Sequence, residues 1–185
     1  MTLAALAGCV VPGVGRPAAP PDRTSTPRPP DYDAGRLEAL TFAEANEARM
    51  AQGLLPLRPH DGLTVAARRH SDDLALHGLF SHTGTDGSVA ADRVERLGIP
   101  YRALGENLYQ SSLFASGYEQ RRADGRIVSH YDWLAPETLA AQAVQAWLDS
   151  PGHRENLLSP AFGRAGVGVA RDGDLGWVVT MVYAD

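Results

Sequence analysis

The sequence predicts an α+β fold in which helices come first, strands follow, and layers cover both faces of a sheet. In residues 36–78, apolar side chains recur every three or four positions, the period of amphipathic helices. Residues 163–171 and 175–183 have strand composition and flank the turn sequence DGD at 172–174, which is a hairpin signal. The second of these strands is apolar on both faces, as expected for a strand buried between two layers. Together these patterns are typical of a layered α+β domain.

Three helices form the first half of this domain. The first is predicted over residues 36–53, and the second ends at Gly78, since glycine is preferred just after a helix. A shorter helix is predicted over residues 88–98. His70 and His77 both fall on the apolar face of the second helix, so we expect their rings to be buried and hydrogen-bonded rather than to bind a ligand.

The next part of the chain contains a strand and an insertion. The strand is predicted over residues 104–112, and its alternation places Glu106 and Asn107 on opposite faces. Asn107 is expected to satisfy backbone groups on its own face. Residues 112–135 are polar and without a clear period, so we interpret them as an irregular insertion with a short strand near residues 127–128.

Two helices follow the insertion. Pro136 opens the first, and Ser150 with Pro151 begins a short second helix, because serine is a good N-cap and proline suits the first helical position. This numbering places His153 in the first turn. The positive end of the helix dipole disfavours an imidazolium ion there, so we expect a neutral ring.

Composition excludes several classes of function. The net charge of −5 provides no basic surface for nucleic acid, so no nucleic-acid partner is expected. Cys9 is the single cysteine of the chain, so the fold contains neither an internal disulfide nor a thiolate zinc site.

The first 35 residues differ in composition from the rest. The stretch LAGC ending at Cys9 resembles a bacterial lipobox, whose cysteine is lipidated, and we interpret residues 1–9 as the remnant of a lipoprotein signal peptide. A chance cluster of small residues is the alternative. Residues 10–35 hold more than half of the 13 prolines and are predicted to form a disordered tether, leaving residues 36–185 as the folded domain. This arrangement predicts a protein outside the cytoplasm, lipid-anchored to a membrane of the cell envelope through Cys9, or secreted.

Three residues of the folded part have the chemistry of a metal or ligand site. His82 lies in a loop after a helix, Glu106 on a strand and His153 at a helix start. Neutral imidazole nitrogens and carboxylate oxygens suit Zn²⁺ or another divalent cation, although no cofactor is required by the sequence. The same residues could instead form a hydrogen-bond network without a ligand.

Five motifs occur in an order that resembles the CAP superfamily of cysteine-rich secretory proteins, antigens and pathogenesis-related proteins, and most of all its bacterial SCP-like branch. They are NEARMAQGLLPL (46–57), FSHTGTDG (80–87), GENL (105–108), AWLDSPGHRENLL (146–158) and AGVGVA (165–170). The resemblance implies a three-layer α-β-α sandwich with a mixed, largely antiparallel central sheet. It also implies a cleft with two histidines and acidic residues, which match His82, His153 and Glu106. Asp149 is the candidate for the second acidic residue of eukaryotic members.

Several functions remain open. The sequence contains no G-x-S-x-G elbow and no H-E-x-x-H pair, so we favour a non-catalytic module that binds a small molecule, lipid, peptide or divalent metal in the cleft. The alternative enzyme is a metal-dependent, peptidase-like hydrolase that acts through a zinc-bound water, with Glu106 as general base in one variant. A third alternative is an envelope scaffold in which the histidines and Glu106 are purely structural.

Overall fold

The structure of the chain, a computed structural model, describes residues 29–185. The helices of this part are α1 (Ala34–Ala51), α2 (Asp61–His77), α3 (Ala90–Glu95), α4 (Pro136–Asp149) and α5 (Pro151–Leu157). Its strands are β1 (Arg58–Pro59), β2 (Leu104–Ser112), β3 (Phe114–Arg121), β4 (Ile127–Trp133), β5 (Arg164–Asp172) and β6 (Gly176–Ala184). The predicted lipobox, with Cys9, and most of the predicted tether lie outside the described residues.

The central sheet has four strands in the order β1-β5-β6-β2. The short strand β1 pairs with β5 in parallel, whereas β5 with β6 and β6 with β2 are antiparallel. This topology confirms the predicted mixed, largely antiparallel sheet. The register places Glu106 of the edge strand β2 opposite Val182, close to the C-terminal end of β6, so the carboxylate lies toward one end of the sheet.

Helices cover both faces of this sheet. Trp177 and Met181 of β6 belong to an apolar cluster with Trp147 of α4 on one face. Val182 of the same strand packs with Leu63 of α2 on the other face. The alternation of β6 therefore gives two apolar clusters and three layers, as the sequence predicted.

Helix α2 lies unusually close to β5. A Cβ atom added at Gly166 would come within 2.0 Å of the backbone nitrogen of Thr64, and one at Gly168 within 2.1 Å of that of Arg68. Only glycine fits where two backbones approach this closely. The helix then ends at Gly78, which has a φ of 62° and closes the predicted C-terminus.

The first helix begins earlier than the sequence pattern suggested. Helix α1 begins at Ala34, because the side chain of Asp33 accepts a hydrogen bond from the Arg36 backbone N–H and caps the helix. The Tyr32 hydroxyl donates to the Leu134 carbonyl across 2.8 Å. The last residues of the segment predicted as a tether therefore contact the folded domain.

The predicted irregular insertion is instead a β-hairpin. Strands β3 and β4 form a separate two-stranded antiparallel sheet. Nearly all side chains of β3 are exposed, so the strand has no buried face. Its sequence therefore lacks the alternation of apolar and polar residues by which a strand is recognised. Cross-strand ring contacts stabilise the pair instead, including Tyr118 stacked on His130 with centroids 4.8 Å apart. The expectation of an irregular segment was wrong for this reason, whereas the strand expected near residues 127–128 is present as the start of β4.

The two histidines of α2 have different environments. His70 is buried, and its Nε2 donates to the Ser81 carbonyl across 3.0 Å, as predicted for a core histidine. The prediction for His77 was wrong, since 46% of its side chain is exposed and its ring contacts the Asp73 carboxylate. Position 77 lies in the last turn of α2, where the apolar face has ended and Leu76 beside it is also exposed.

A buried arginine that the sequence analysis did not identify ties α1 to the end of α5. Arg49 is 2% exposed, and its guanidinium donates to four backbone carbonyls. These belong to Leu55, Leu157, Ser159 and Phe162. The contacts hold the C-terminal end of α5, the helix that carries His153.

Among residues 29–185, no helix combines the length and the apolar character needed to cross a lipid bilayer.

Candidate functional site

The structure brings the three predicted site residues together at one end of the sheet. The Nδ1 atom of His82 donates to Oε1 of Glu106 across 2.9 Å. The ring centroids of His82 and His153 are 6.5 Å apart, with a 49° angle between the ring planes. A loop, a strand and a helix start, separated by some seventy positions in the chain, therefore form one cluster.

The predicted site residue Asp149 makes no hydrogen bond to the other members of this cluster. It is the exposed last residue of α4, and its Oδ1 accepts a hydrogen bond from Gln145 one turn earlier on the same helix. The Asp149 side chain therefore faces its own helix surface and solvent, rather than pairing with His82 or His153.

Glu106 is buried and both of its oxygens are engaged. The Oε2 atom accepts from Nη2 of Arg93 across 2.6 Å, and the Oε1 atom accepts from His82. The side chain of Glu106 is 4% exposed and that of Arg93 is 9% exposed. Both oxygens of the Glu106 carboxylate therefore already accept hydrogen bonds from neighbouring side chains, one of them from a guanidinium.

Arg93 also positions the loop that carries His82. Its Nη1 atom donates to the Ser88 carbonyl across 2.8 Å, and both terminal nitrogens contact the His82 carbonyl at 3.3–3.4 Å. Sequence analysis missed this residue because an arginine on a short helix reads as a surface charge. The signal that could have found it is Glu106 itself, because a carboxylate on a buried strand needs a cationic partner.

His153 lies in the first turn of α5, as predicted, but the main cause of its lowered pKa is burial rather than the helix dipole. Helix α5 begins at Pro151 with Ser150 as N-cap residue, which places His153 in the first turn. Partial burial lowers the pKa of His153, and the nearby His82 lowers it further. The neutral ring is therefore explained by desolvation first, whereas the sequence analysis attributed it to the helix dipole.

Asn107 holds α5 against the sheet from the other face of β2. Its Nδ2 atom donates to the His153 carbonyl across 2.9 Å and to the Tyr183 hydroxyl across 3.1 Å. Asn156 of α5 donates back to Oδ1 of Asn107 across 3.0 Å. The expectation that Asn107 satisfies backbone groups is confirmed, and these bonds fix the position of His153 relative to Glu106.

The residues present do not fit a three-ligand metal centre. Within the part of the chain that the structure describes, no group of three His, Cys, Asp or Glu side chains is arranged to hold a metal ion. Glu106 is committed to Arg93 and His82, and the guanidinium places a positive charge beside the carboxylate. Two imidazoles remain, fewer than the three protein ligands typical of catalytic zinc.

Exposed apolar side chains lie just before His82 along the chain. Leu76 is 80% exposed, Leu79 41% and Phe80 53%. Leu79 and Phe80 belong to the same loop as His82 and precede it by three and two residues, so the loop that carries His82 also carries exposed apolar side chains.

Comparison with known proteins agrees with this fold. The chain is 28% identical over 154 residues to the protein YkwD of Bacillus subtilis, an alignment that covers 83% of this chain and 50% of YkwD. The chain therefore spans half the length of this relative. An extracellular SCP-domain protein of Bacillus anthracis is similar in structure, with 24% identity, a TM-score of 0.60, and coverage of 82% of this chain and 41% of that one.

A second structural neighbour matches over nearly its whole length. This outer surface protein of Borrelia burgdorferi has a TM-score of 0.63 at 18% identity, with 83% of this chain and 96% of that protein covered. At these identities the two structures support the fold alone. The family model of the cysteine-rich secretory protein family matches residues 42–183, which is most of the chain and includes His82, Glu106 and His153. The chain therefore belongs to the cysteine-rich secretory protein, or CAP, family.

Proposed function

We propose that this chain is an extracytoplasmic, non-catalytic binding module that takes a lipid or another ligand with an apolar body and a polar head at the site of His82 and His153. The observation that carries this proposal is the commitment of Glu106 to Arg93 and His82. Such a carboxylate orients His82 but supplies no free general base. A binding site needs no general base or nucleophile; polar groups held in place beside apolar surface are sufficient.

The imidazole pair has the chemistry to recognise a polar head group. Glu106 accepts from Nδ1 of His82, and because a carboxylate only accepts, that nitrogen carries the hydrogen. The Nε2 atom of His82 is then the nitrogen available to a ligand. His153, whose pKa is lowered by burial, offers a neutral ring 6.5 Å away. Leu79 and Phe80 provide apolar surface in the adjoining loop.

A location outside the cytoplasm is supported by two observations. Structural neighbours carry the descriptions "extracellular protein" and "outer surface protein". The LAGC stretch that ends at Cys9 and the proline-rich residues after it suit a lipid anchor followed by a spacer. Replacing Cys9 with Ser in the native host is expected to move the protein from the membrane fraction to the soluble fraction. Unchanged membrane association would contradict the anchor.

Equilibrium binding of a fluorescent C16 fatty acid to the full chain tests the binding proposal. We expect saturable binding that is weakened at least about tenfold in the His82→Ala/His153→Ala variant, because polar contacts to the head group are lost. Phe80→Ser should also weaken binding through loss of apolar contact. His77→Ala is the matched control, since this exposed histidine contacts Asp73 rather than the cluster, and it should bind like the parent chain.

A parallel calorimetric titration with Zn²⁺ separates the alternatives. Tight zinc binding lost in the double variant, without fatty-acid binding, would replace the proposal with a metal site of two imidazoles and solvent. Binding of neither probe, with a less stable double variant, would leave a structural network. Both results would overturn the proposal of an amphipathic ligand.

A further inference from the structure

The hairpin of β3 and β4 carries side chains that the rest of the domain leaves uncovered. Among the described residues, its strands pair with each other and with no strand of the central sheet. Every residue of β3 after Phe114 is exposed, and so is every residue of the turn at 122–126. A two-stranded hairpin is at best marginally stable by itself in water, so a further surface against these side chains would stabilise it.

The end of this hairpin is positively charged, although the chain as a whole is negative. We define the hairpin tip as residues 121–126, which contain three arginines and one aspartate, a net charge of +2 against −5 for the whole chain. The rest of the hairpin holds two carboxylates and no lysine or arginine, so the positive charge is confined to the tip. Asp124 pairs with Arg126 across 2.6 Å. Within residues 29–185, Arg121 and Arg122 form no salt bridge, and both are exposed.

Apolar and aromatic side chains lie beside the tip. Tyr118 is 66% exposed, and Ile127 and Val128, which follow the tip, are only partly buried. Tyrosine rings are enriched in the headgroup layer of lipid bilayers, and arginines near an anionic membrane are attracted to its phosphate groups. Exposed arginines next to a tyrosine and two β-branched residues are therefore the chemistry of a segment that rests on an anionic lipid surface.

The chain that follows Cys9 enters the domain at the base of this hairpin. The Tyr32 hydroxyl contacts the carbonyls of Leu134 and Leu113 at 2.8 Å and 3.4 Å, and these two residues directly flank the hairpin. Residues 10–31 separate Tyr32 from Cys9. At no more than about 3.5 Å per residue, they keep the hairpin base within about 80 Å of Cys9. A tether of this length raises the effective concentration of the hairpin at a membrane that holds Cys9.

We propose that the hairpin tip docks on the anionic phospholipid surface to which Cys9 anchors the chain. Lipid phosphates accept hydrogen bonds from Arg121 and Arg122, and the Tyr118 ring enters the headgroup layer beside them. Docking rests on the proposed lipid anchor, which keeps the tip near the membrane, and is independent of ligand binding at His82.

The docking surface is distinct from the candidate site. The hairpin begins after Ser112, whereas Glu106 lies six residues earlier on β2. At about 3.3 Å per residue, the hairpin base is about 20 Å from the Glu106 backbone. The tip also shares no residue with the site at His82 and His153, so loss of docking and loss of fatty-acid binding are observed separately.

Hydrogen exchange of the full chain on vesicles tests the proposal. The Cys9 thiol is coupled to a maleimide lipid, so the test does not depend on lipidation in the cell. Backbone amides of residues 118–130 are compared on vesicles of phosphatidylcholine and of an equimolar mixture with phosphatidylglycerol. We expect exchange at least about fivefold slower on the anionic vesicles, because each arginine near such a surface strengthens binding about fivefold. The difference should disappear in about 0.5 M NaCl, since salt screens the attraction.

Arginine variants with the same change in net charge identify the surface that docks. Arg121→Gln/Arg122→Gln should restore the exchange rate seen on phosphatidylcholine, because docking is weakened more than about tenfold. Arg58→Gln/Arg69→Gln removes two exposed arginines of β1 and α2 and should keep the slow exchange.

Three results would overturn the proposal. Equal exchange on both kinds of vesicle would mean that the tip does not bind anionic lipid. Equal effects of the two double variants would mean a response to net charge alone. Slow exchange that increases with the surface density of protein, on neutral vesicles as well, would mean that two copies of the chain pair through their hairpins.

Discussion

The Arg93 guanidinium donates to Oε2 of Glu106 across 2.6 Å, with 9% and 4% of the two side chains exposed. The other oxygen of Glu106 accepts from Nδ1 of His82, so this pair supports the orientation of the His82 ring. The ion pair is therefore the structural centre of the functional region, and its removal should be detectable as lost stability.

Breaking this pair from one side should be strongly destabilising. Arg93→Met leaves a buried carboxylate without its cation, for which we expect a loss of about 3–5 kcal/mol in the free energy of unfolding. Glu106→Gln alone should also destabilise, while the Arg93→Met/Glu106→Gln double variant should lose less than the sum of the two. Urea denaturation of the four proteins measures this coupling.

An exposed ion pair provides the matched comparison. Arg96 and Asp86 are 58% and 55% exposed and form a contact of the same length. Arg96→Gln should leave stability unchanged within the precision of the measurement, because exposed pairs contribute little. Additive effects of the Arg93 and Glu106 substitutions would show that the buried pair is not coupled.

Stability should decrease as the pH falls below about 6.5, the ordinary pKa of histidine. Burial lowers the pKa of both His70 and His153 from this value. In this range the unfolded chain binds protons that the folded protein does not, so the free energy of unfolding rises with pH. The stabilisation is present above the unfolded pKa and is lost on acidification toward the lower, folded pKa.

His70→Gln should make this pH dependence shallower. Glutamine keeps a side-chain N–H for the Ser81 carbonyl but has no titrating ring. Urea denaturation at several pH values between about 5 and 8 would measure the slope for both proteins, since histidine is the side chain that titrates there. Identical slopes would show that His70 contributes no proton linkage.

Layering was predictable from the sequence because the relevant signals are local. The double-sided apolar pattern of residues 175–183 indicated two covering layers, and β6 places side chains in apolar clusters on both faces. Gly78 marked the end of α2. Alternation on β2 separated Glu106 from Asn107, and these residues do face different neighbours.

Other features depend on contacts that local patterns do not encode. The hairpin of β3 and β4 buries little, so its strands lack the apolar alternation that would mark them. Arg93 and Arg49 are buried because carboxylate and carbonyl partners surround them, and those partners are distant in sequence. His77 has the helical period of a buried residue but is the last residue of α2, and its side chain is largely exposed there. In each case the burial of the side chain depends on its position in the tertiary structure, which the local sequence pattern does not contain.

Asn107 should control both stability and the placement of His153. It is fully buried, and its removal takes a donor from the His153 carbonyl and leaves the Asn156 amide with the Glu106 carbonyl alone. Because the contacts to the His153 carbonyl and the Tyr183 hydroxyl are lost, we expect Asn107→Ala to cost roughly 1–3 kcal/mol of unfolding free energy. Fatty-acid binding should also weaken, because α5 loses a contact that positions His153.

A neighbouring polar residue on the same strand is the control for Asn107. Gln110 is exposed, and its amide donates to Asp172 at the sheet end. Gln110→Ala should change neither chemical denaturation nor fatty-acid affinity. If Asn107→Ala lowered stability but left the affinity unaltered, Asn107 would be a structural residue without a role in positioning His153.

The close contact between α2 and β5 predicts a large loss of stability when a side chain is added at Gly168. A Cβ at Gly168 would lie 2.1 Å from the backbone nitrogen of Arg68, and that backbone cannot move aside without lifting α2 from the sheet. We therefore expect Gly168→Ala to be among the most destabilising substitutions in the chain, above about 4 kcal/mol, because overpacking here displaces a whole helix.

Gly152→Ala is the matched substitution, because a Cβ there meets no atom within 4 Å. Alanine in a helix is favoured over glycine by about 0.5–1 kcal/mol, so this variant should be as stable as the parent chain or slightly more stable. Thermal unfolding by circular dichroism would compare the two variants. A Gly168→Ala protein with the parent melting temperature would show that α2 can separate from β5 at little cost. The close packing that places His70 and the His82 loop beside Glu106 would then need another explanation.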